Sequence, residues 1–284
     1  MILVSTGGYK TQPAWKTCQS FLSAGIMNIE LSGGTYDADQ LTHLRSIKKS
    51  TTLQIHNYFP PPEKPFVFNL ASLVDETADR SLEHAKRAIR WSSELGRRVY
   101  SFHAGFIVEL TVNELGKTMI SRDLFDRDKA MCCFVERVCY LADYARAHGV
   151  DILIENNVVS AINLKQFNEN PCLMADPDEC LFVMRKTPKN VNLLIDVAHL
   201  KVSARSLGFE QVFFLENCNP WIKAYHLSDN DGTQDANERV TKDSWFWPHI
   251  KRDLHYYSLE IYNVPLRTLR QQMSLAEAML SGKN

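Results

Sequence analysis

Residues 191–196 read Val-Asn-Leu-Leu-Ile-Asp, and residues 151–155 read Asp-Ile-Leu-Ile-Glu. Each stretch contains a short, continuous apolar run that ends in a carboxylate. Runs of this kind are typical of parallel strands that helices cover on both faces. The two stretches therefore predict an α/β protein, and they place an acidic side chain at the C-terminal end of each strand.

Six further strands are predicted from similar apolar runs, and longer segments with helical periodicity, such as Asp79–Leu95 and Arg127–His148, lie between strands. The eight predicted strands are Ile2–Thr6, Ile26–Leu31, Leu53–Tyr58, Val99–Ala104, Asp151–Glu155, Val191–Asp196, Ile222–Leu227 and Tyr257–Ile261. Three glycines, at positions 25, 96 and 149, follow periodic segments where a left-handed residue usually ends a helix. Eight βα units in about 250 residues predict a (β/α)8 TIM barrel.

The length and composition fit this fold. The chain has 284 residues, of which 45% are hydrophobic and 23% charged, as in an ordinary globular protein. Because no linker divides the sequence, we expect one domain over residues 1–284. The alternative is a doubly wound open sheet, but no Gly-x-Gly-x-x-Gly motif follows the first strand.

Charge and cysteine content restrict the partners and the compartment. Lys and Arg number 32 against 33 Asp and Glu, so nucleic acid is not the expected partner, although a local basic stripe would still permit it. The seven cysteines include no CxxC spacing, which argues against a disulfide scaffold and indicates a reducing, cytoplasmic compartment. The N-terminal apolar run is too short for a signal peptide or a membrane span.

Seven of the eight predicted strands end near a carboxylate or an imidazole. These residues are Glu30, His56, His103, Glu155, Asp196, His226 and Glu260. In a TIM barrel they would all lie at the rim where active sites are built. Burying so many ionisable groups together is costly unless they share a cation or protons. We therefore expect a divalent metal, which could be Mn²⁺, Mg²⁺, Co²⁺, Fe²⁺ or Zn²⁺; a metal-free polar pocket is the alternative.

Six short motifs at these strand ends carry a family resemblance. They are Ile55-His56, Ser101-Phe102-His103-Ala104-Gly105, Ile154-Glu155-Asn156-Asn157, Ile195-Asp196-Val197-Ala198-His199, Tyr225-His226-Leu227-Ser228-Asp229 and Ser258-Leu259-Glu260-Ile261. In their order and strand context they resemble the xylose-isomerase-like barrels. That superfamily includes sugar isomerases, sugar epimerases and abasic-site nucleases of the endonuclease IV type. The resemblance extends over nearly the whole chain.

The resemblance implies a ligand set for metal. One divalent cation would be held by four residues, Glu155, Asp196, His226 and Glu260. In the nuclease branch, His56 and His103 would join Glu155 around a second metal; in an isomerase they could instead contact substrate. Both sets are complete in this sequence.

A third metal, as in the nuclease branch, would need His199 and an Asp-x-His pair after the seventh strand. The corresponding segment here is Asp235-Ala236-Asn237, with Asn237 where the second His would stand. Because an amide is a poor zinc ligand compared with imidazole, we expect no tightly held third metal.

For a sugar isomerase or epimerase, the resemblance implies that Glu155 and Glu260 carry the protons. They would act as base and acid at a carbon next to a carbonyl, through an ene-diolate that the cation stabilises. His199 would donate a hydrogen bond to a substrate oxygen; a purely structural role is its alternative. The expected function is a metal-dependent isomerase or epimerase of a sugar or sugar phosphate, and the lack of a Gly-rich phosphate loop favours an unphosphorylated substrate.

Other functions fit the same residues. An endonuclease IV-like phosphodiesterase acting on abasic DNA would use two or more metals, but Asn237 and the lack of a basic tract count against it. A lyase, a dehydratase or a non-catalytic sugar-binding barrel is also compatible, since barrels host many functions. We interpret Trp245-Phe246-Trp247 either as an apolar wall for a sugar or as a plug or subunit contact of a homo-oligomer.

Overall fold

The structure, a computed structural model, describes residues 1–115 and 117–282. Its eight strands are β1 (Ile2–Ser5), β2 (Asn28–Leu31), β3 (Thr52–His56), β4 (Val99–His103), β5 (Asp151–Glu155), β6 (Val191–Asp196), β7 (Ile222–Leu227) and β8 (Tyr256–Leu259). Each strand pairs in parallel with the next one along the chain, and β8 pairs with β1. The closed barrel confirms the predicted (β/α)8 fold over the open sheet.

Helices connect the strands and cover the outside of the barrel. In the described residues they are α1 (Ala14–Ser23), α2 (Gln40–Ile47), α3 (Asp75–Glu94), α4 (Arg127–Ala147), α5 (Ala161–Phe167), α6 (Pro177–Lys186), α7 (Val197–Leu207), α8 (Gln211–Cys218) and α9 (Leu266–Ser281). Helix α3 begins four residues before the predicted start, with Asp75 and Glu76 in its first turn, where acidic side chains favour a helix N-terminus. Within the described ranges, no helix is long and apolar enough to cross a membrane.

The bounds of β5, β6 and β7 are as predicted, and those of the other strands differ by at most two residues. Strand β2 begins late, at Asn28, because the N–H of Ile26 bonds to the carbonyl of Phe21 (2.9 Å) and completes the end of α1. Gly25, like the other two glycines predicted to end helices, has a positive φ. Strand β3 ends before Asn57, whose φ of 47° breaks the extended conformation.

Side chains alternate between the inside and the outside of the barrel. A separate cluster of inward residues, which we call the apolar floor, consists of Leu3, Val99, Leu153, Leu194, Ala224 and Tyr256. Two residues further along the strands, the next inward positions are polar; Glu155 follows Leu153, and Asp196 follows Leu194. The period of two therefore places a polar layer directly above an apolar floor, at the C-terminal rim.

Leu194→Ala is expected to lower the free energy of unfolding by about 2–5 kcal/mol, as large-to-small changes in cores do. Leu194 is fully buried in the apolar floor, so the change opens a cavity beneath Asp196. Denaturant unfolding followed by circular dichroism measures the loss. As a control, Ile162→Ala on α5 removes a side chain that is 61% exposed and should change stability by less than about 0.5 kcal/mol. Equal losses in the two variants would contradict this account of the floor.

Candidate active site

The structure brings together the four residues of the expected metal site. They come from β5, β6, β7 and the residue after β8, and all four are buried. The Nδ1 atom of His226 lies 3.1 Å from Glu155 Oε1, 3.7 Å from Glu260 Oε2 and 3.9 Å from Asp196 Oδ2. Three carboxylates therefore surround one imidazole nitrogen at the barrel mouth.

Two oxygens of these carboxylates, Glu155 Oε2 and Asp196 Oδ2, are buried and accept no hydrogen bond in the described part of the chain, although two histidine nitrogens lie 3.3–3.4 Å from Glu155 Oε2. Asp196 caps helix α7, because its Oδ1 accepts hydrogen bonds from the N–H groups of Ala198 (2.7 Å) and His199 (2.8 Å). Its other oxygen is left facing the barrel mouth. A buried acceptor without a partner is costly, and a cation would remove that cost.

The spacing of the donor atoms also suits one ion. Glu155, Asp196 and His226 each offer an atom, and these atoms lie within 4.8 Å of one another. With metal–ligand distances of about 2.0–2.3 Å, ligands on opposite sides of an ion are separated by about 4–4.6 Å. The residues present therefore fit a divalent cation.

The charges and the pKa values of the site also favour a bound divalent cation. Across residues 1–115 and 117–282, the ion pairs of Glu30, Glu155, Asp196 and Glu260 are made with histidines, and no Lys or Arg takes part. Burial raises the pKa of Asp196 to about 6. Burial also raises the pKa of Glu260 to about 8, with the charges of neighbouring carboxylates adding to the effect. Asp196 and Glu260 therefore resist ionising beside the other carboxylates, and a bound cation would relieve that cost. Although burial opposes the ionisation of Glu155, neighbouring histidines hold the pKa of this residue well below its usual range, so that it is ionised.

His56 and His103 form a second cluster with Glu155. His56 Nε2 lies 3.3 Å and His103 Nδ1 lies 3.4 Å from the same oxygen, Glu155 Oε2, and the three donor atoms are within 4.8 Å of one another. Burial lowers the pKa of His56 to about 3, so its ring is neutral at physiological pH. The side chain of His103 is 28% exposed and is accessible from the barrel mouth.

His199 lies in the first turn of α7 rather than on a loop beyond the strand, because Asp196 caps that helix directly. Its Nδ1–H donates to the carbonyl of Asn156 (3.0 Å), and its Nε2 is 3.4 Å from Asp235 Oδ2. Asn237 donates its amide to Asp235 Oδ1 (3.2 Å). Asp235 is thus held between His199 and Asn237, a pairing that the sequence did not reveal.

From the sequence, the role of Glu30 stays open between binding substrate hydroxyls and pairing with a neighbouring cation; in the structure Glu30 is fully buried on β2. Its Oε1 lies 3.1 Å from His226 Nε2, and it also accepts a hydrogen bond from Ser258 Oγ (2.8 Å). The available signal was its position at a strand end, in the same series as the six other ionisable residues. The sequence alone could not show that Glu30 faces Nε2 of His226.

The Trp245-Phe246-Trp247 segment is largely a hydrophobic plug. Phe246 and Trp247 are 0% and 4% exposed and belong to the main core. The indole N–H of Trp247 donates to the carbonyl of Thr241 (2.7 Å). Trp245 is only partly buried and packs against the same core, so a wall for a sugar could involve Trp245 but not its two neighbours.

Comparisons with known proteins agree with this architecture. No curated protein matches the chain. A D-tagatose 3-epimerase-like protein is 17% identical with a TM-score of 0.74, over 99% of this chain and 97% of that one. A xylose isomerase-like TIM barrel protein from Mycobacterium smegmatis, in complex with magnesium, is 14% identical with a TM-score of 0.71, over 99% and 96%. The 3-keto-D-glucoside 4-epimerase from E. coli is 10% identical with a TM-score of 0.68, over 98% of both chains.

At these identities the solved structures establish the fold alone. The sequence match is more specific, because residues 21–257, most of the chain, fit the family described as xylose isomerase-like TIM barrel. The chain therefore belongs to the xylose isomerase-like TIM barrel family.

Proposed function

We propose that the protein is a divalent-metal-dependent sugar isomerase or epimerase. The observation that carries this proposal is the convergence of three carboxylates on Nδ1 of His226, with two buried carboxylate oxygens that accept no hydrogen bond in the described residues. Membership of the xylose isomerase-like family and the likeness to sugar epimerases support it. The expected partner is a small sugar rather than nucleic acid, and the seven free cysteines are in keeping with a reducing, cytoplasmic compartment.

The metal ligands in this proposal are Glu155, Asp196, His226 and Glu260. Three carboxylates and one imidazole, without a thiolate, suit Mn²⁺, Mg²⁺, Co²⁺, Fe²⁺ or Zn²⁺. When bound, such an ion acts as a Lewis acid on a substrate carbonyl. Asp196 would contribute the oxygen that its capping role leaves free, so ligation and the start of α7 are compatible.

Glu155 and Glu260 are the proton carriers in this proposal. Glu155 ends β5 and Glu260 follows β8, so the two carboxylates reach the site from nearly opposite sides of the eight-stranded barrel. A base and an acid on two faces of one carbon is the arrangement that epimerisation requires. Ser5 Oγ donates to Glu260 Oε1 (3.0 Å) and holds that carboxyl group in place.

His199 would bind a substrate oxygen. Its Nδ1–H is occupied by the carbonyl of Asn156, so Nε2 is the nitrogen that remains available on the ring. Asp235, 3.4 Å from Nε2, favours a proton there, and a substrate oxygen would share that N–H with Asp235. A donor of this kind fits a substrate hydroxyl or carbonyl oxygen.

The direct test is conversion of a panel of ketoses and their phosphates by metal-stripped protein reconstituted with each candidate ion. NMR in deuterated water would follow both the new sugar and the exchange of its carbon-bound hydrogen. We expect conversion with deuterium incorporation that depends on added metal. The proposal would be contradicted if no member of either the unphosphorylated or the phosphorylated panel were converted.

A second candidate is a metal-dependent phosphodiesterase on abasic DNA. It is favoured by one observation, the cluster of His56 and His103 around Glu155 Oε2, which would allow two metals to share one carboxylate. Asn237 argues against it, because its amide is directed to Asp235 at the position where a third metal would need imidazole.

Metal titration distinguishes the two candidates. We expect the metal-free protein to saturate below three tight equivalents of Zn²⁺ per chain, because the amide of Asn237 is a weak ligand. Calorimetry and elemental analysis give the number of ions, and Asn237→His is the matched variant expected to add an equivalent. Three tight equivalents in the parent protein, together with incision of an abasic-site duplex, would overturn the isomerase proposal and favour the nuclease.

A further inference from the structure

We propose that Glu30 is a positioning residue, which holds the His226 ring in the orientation and tautomer that ligate metal through Nδ1. This inference rests on the proposed function, because it takes the site formed by Glu155, Asp196, His226 and Glu260 as the metal site. Glu30 would not touch the metal or the substrate. It would act through His226.

The two ring nitrogens of His226 face different surroundings. Nδ1 is directed to the three carboxylates of the proposed metal site, at 3.1–3.9 Å. Nε2 is directed to Glu30, with Oε1 at 3.1 Å and Oε2 at 3.2 Å. Both side chains are fully buried, so water does not compete for either nitrogen.

The chemistry of this contact sets which nitrogen keeps its proton when metal binds. An ionised carboxylate only accepts hydrogen bonds, and carboxylates face both ring nitrogens, Glu155 at Nδ1 (3.1 Å) and Glu30 at Nε2 (3.1 Å). Ligation through Nδ1 would replace the proton on that nitrogen, whereas Glu30 would keep the proton on Nε2. Histidine ligands commonly donate their second N–H to a carboxylate in this way, which orients the ring and raises its basicity.

Glu30 differs from the proposed ligands in how its oxygens are satisfied. Ser258 Oγ donates to Oε1 of Glu30 (2.8 Å), and His226 lies within hydrogen-bond distance of both oxygens. By contrast, Glu155 and Asp196 each keep a buried oxygen that accepts no hydrogen bond in the part of the chain that the structure describes. The protein completes the hydrogen bonds of Glu30 itself, which fits a supporting role rather than ligation.

His56 offers a comparison within the same barrel. Its Nδ1 contacts Ser101 Oγ at 3.0 Å, and a hydroxyl group can either donate or accept a hydrogen bond. The other nitrogen of His56, Nε2, lies 3.3 Å from Oε2 of Glu155, which is itself a proposed ligand. His226 differs because the carboxylate behind its ring, Glu30, is outside the proposed ligand set.

The test measures metal binding without any substrate. Mn²⁺ is titrated calorimetrically into metal-stripped parent protein and into Glu30→Gln, which keeps the side-chain shape but removes the charge. We expect one equivalent still to bind, about 10- to 100-fold more weakly, as for other outer partners of histidine ligands. The visible spectrum of the Co²⁺ form should also change, because the ring is less firmly oriented. Gln54→Met is the matched control. Gln54 is buried beside Glu30 on β3, but its side chain bonds main-chain carbonyls and Arg97 rather than His226. The affinity of the folded control for Mn²⁺ should equal that of the parent.

Ser258→Ala is a second variant in case Glu30→Gln does not fold. It leaves the carboxylate of Glu30 in place but removes the hydroxyl that holds it, so affinity should fall by up to about tenfold, the equivalent of one hydrogen bond. Parent-like affinity in both folded variants would overturn the inference. A loss of the whole equivalent in Glu30→Gln would also overturn it, because Glu30 would then be a ligand.

Asp196→Asn separates this inference from the proposed function. If Asp196→Asn binds Mn²⁺ as the parent does, the proposed metal site is wrong, and with it the function built on it. If Asp196→Asn loses binding while Glu30→Gln retains the parent affinity, the metal site stands and only the role of Glu30 is wrong.

Discussion

Replacing Glu155 by Gln is expected to lower turnover of the sugar substrate by about 10²- to 10⁴-fold, the usual contribution of a general acid or base. Gln keeps the shape of the side chain and one ligating oxygen, but it cannot carry a proton at neutral pH. Substrate binding should survive better than turnover, because the lost interaction belongs mainly to the transition state. Steady-state kinetics and deuterium exchange followed by NMR are the measurements.

Glu260→Gln is the partner variant, since Glu260 approaches from the other side of the barrel. It should show a loss of the same order if one carboxylate removes the proton and the other returns it. Both variants are assayed at saturating metal with the bound ion quantified, so that a metal defect is not read as a proton-transfer defect. Ser206→Ala, on the outer helix α7 and away from both carboxylates, should retain parent turnover.

Full turnover in both Gln variants would contradict proton transfer by two carboxylates. Conversion without deuterium incorporation in the parent is a different result, because a hydride shift or a shielded proton also gives it. The two readouts are therefore interpreted together. If the parent converts the sugar without incorporating deuterium, and turnover still falls sharply in both Gln variants, the two carboxylates remain essential. Only the proposed path of the hydrogen then changes.

The sequence predicts the strands well where a polar residue or a turn marks the ends of the strand. The bounds of β5, β6 and β7 agree with prediction because each run is closed by a polar residue or a turn. The ends of β2 and β3 depend on single main-chain features, namely the bond of the Ile26 N–H to Phe21 and the left-handed Asn57. Such features are tertiary or conformational, and hydrophobic patterning does not contain them.

The convergence of the candidate site follows from topology, since parallel strands in a closed barrel deliver their C-terminal residues to one rim. The individual contacts do not follow from it. Which nitrogen of His226 faces Glu30, and which oxygen of Asp196 is free, depend on side-chain rotamers and strand register. The helical position of His199 was accessible in principle, because an Asp before a helix is a common N-cap.

Asp196→Asn is expected to remove metal binding while leaving the fold intact. Asn is as good an N-cap as Asp, so its Oδ1 can still accept the N–H groups of Ala198 and His199 that Asp196 accepts now. The other atom, which in Asp196 is the buried oxygen without a partner, becomes an NH₂ group. A donor that faces the ion repels it, so affinity for Mn²⁺ should fall by more than about 100-fold, beyond the usual effect of an outer partner.

Thermal unfolding with and without metal isolates that effect. An ion at about 100 times its dissociation constant stabilises the parent by about 2.7 kcal/mol, which raises Tm by roughly 4–5 °C for a chain of 284 residues. Asp196→Asn should lose this rise, and its metal-free Tm should be no lower than that of the parent, because the burial of a charged carboxylate is removed. Asp196→Ala should lose both the rise and about 1 kcal/mol of stability, because it also removes the cap. An undiminished metal-induced rise in Asp196→Asn would mean that the oxygen facing the barrel mouth is not a ligand, and the proposed metal site would have to be abandoned.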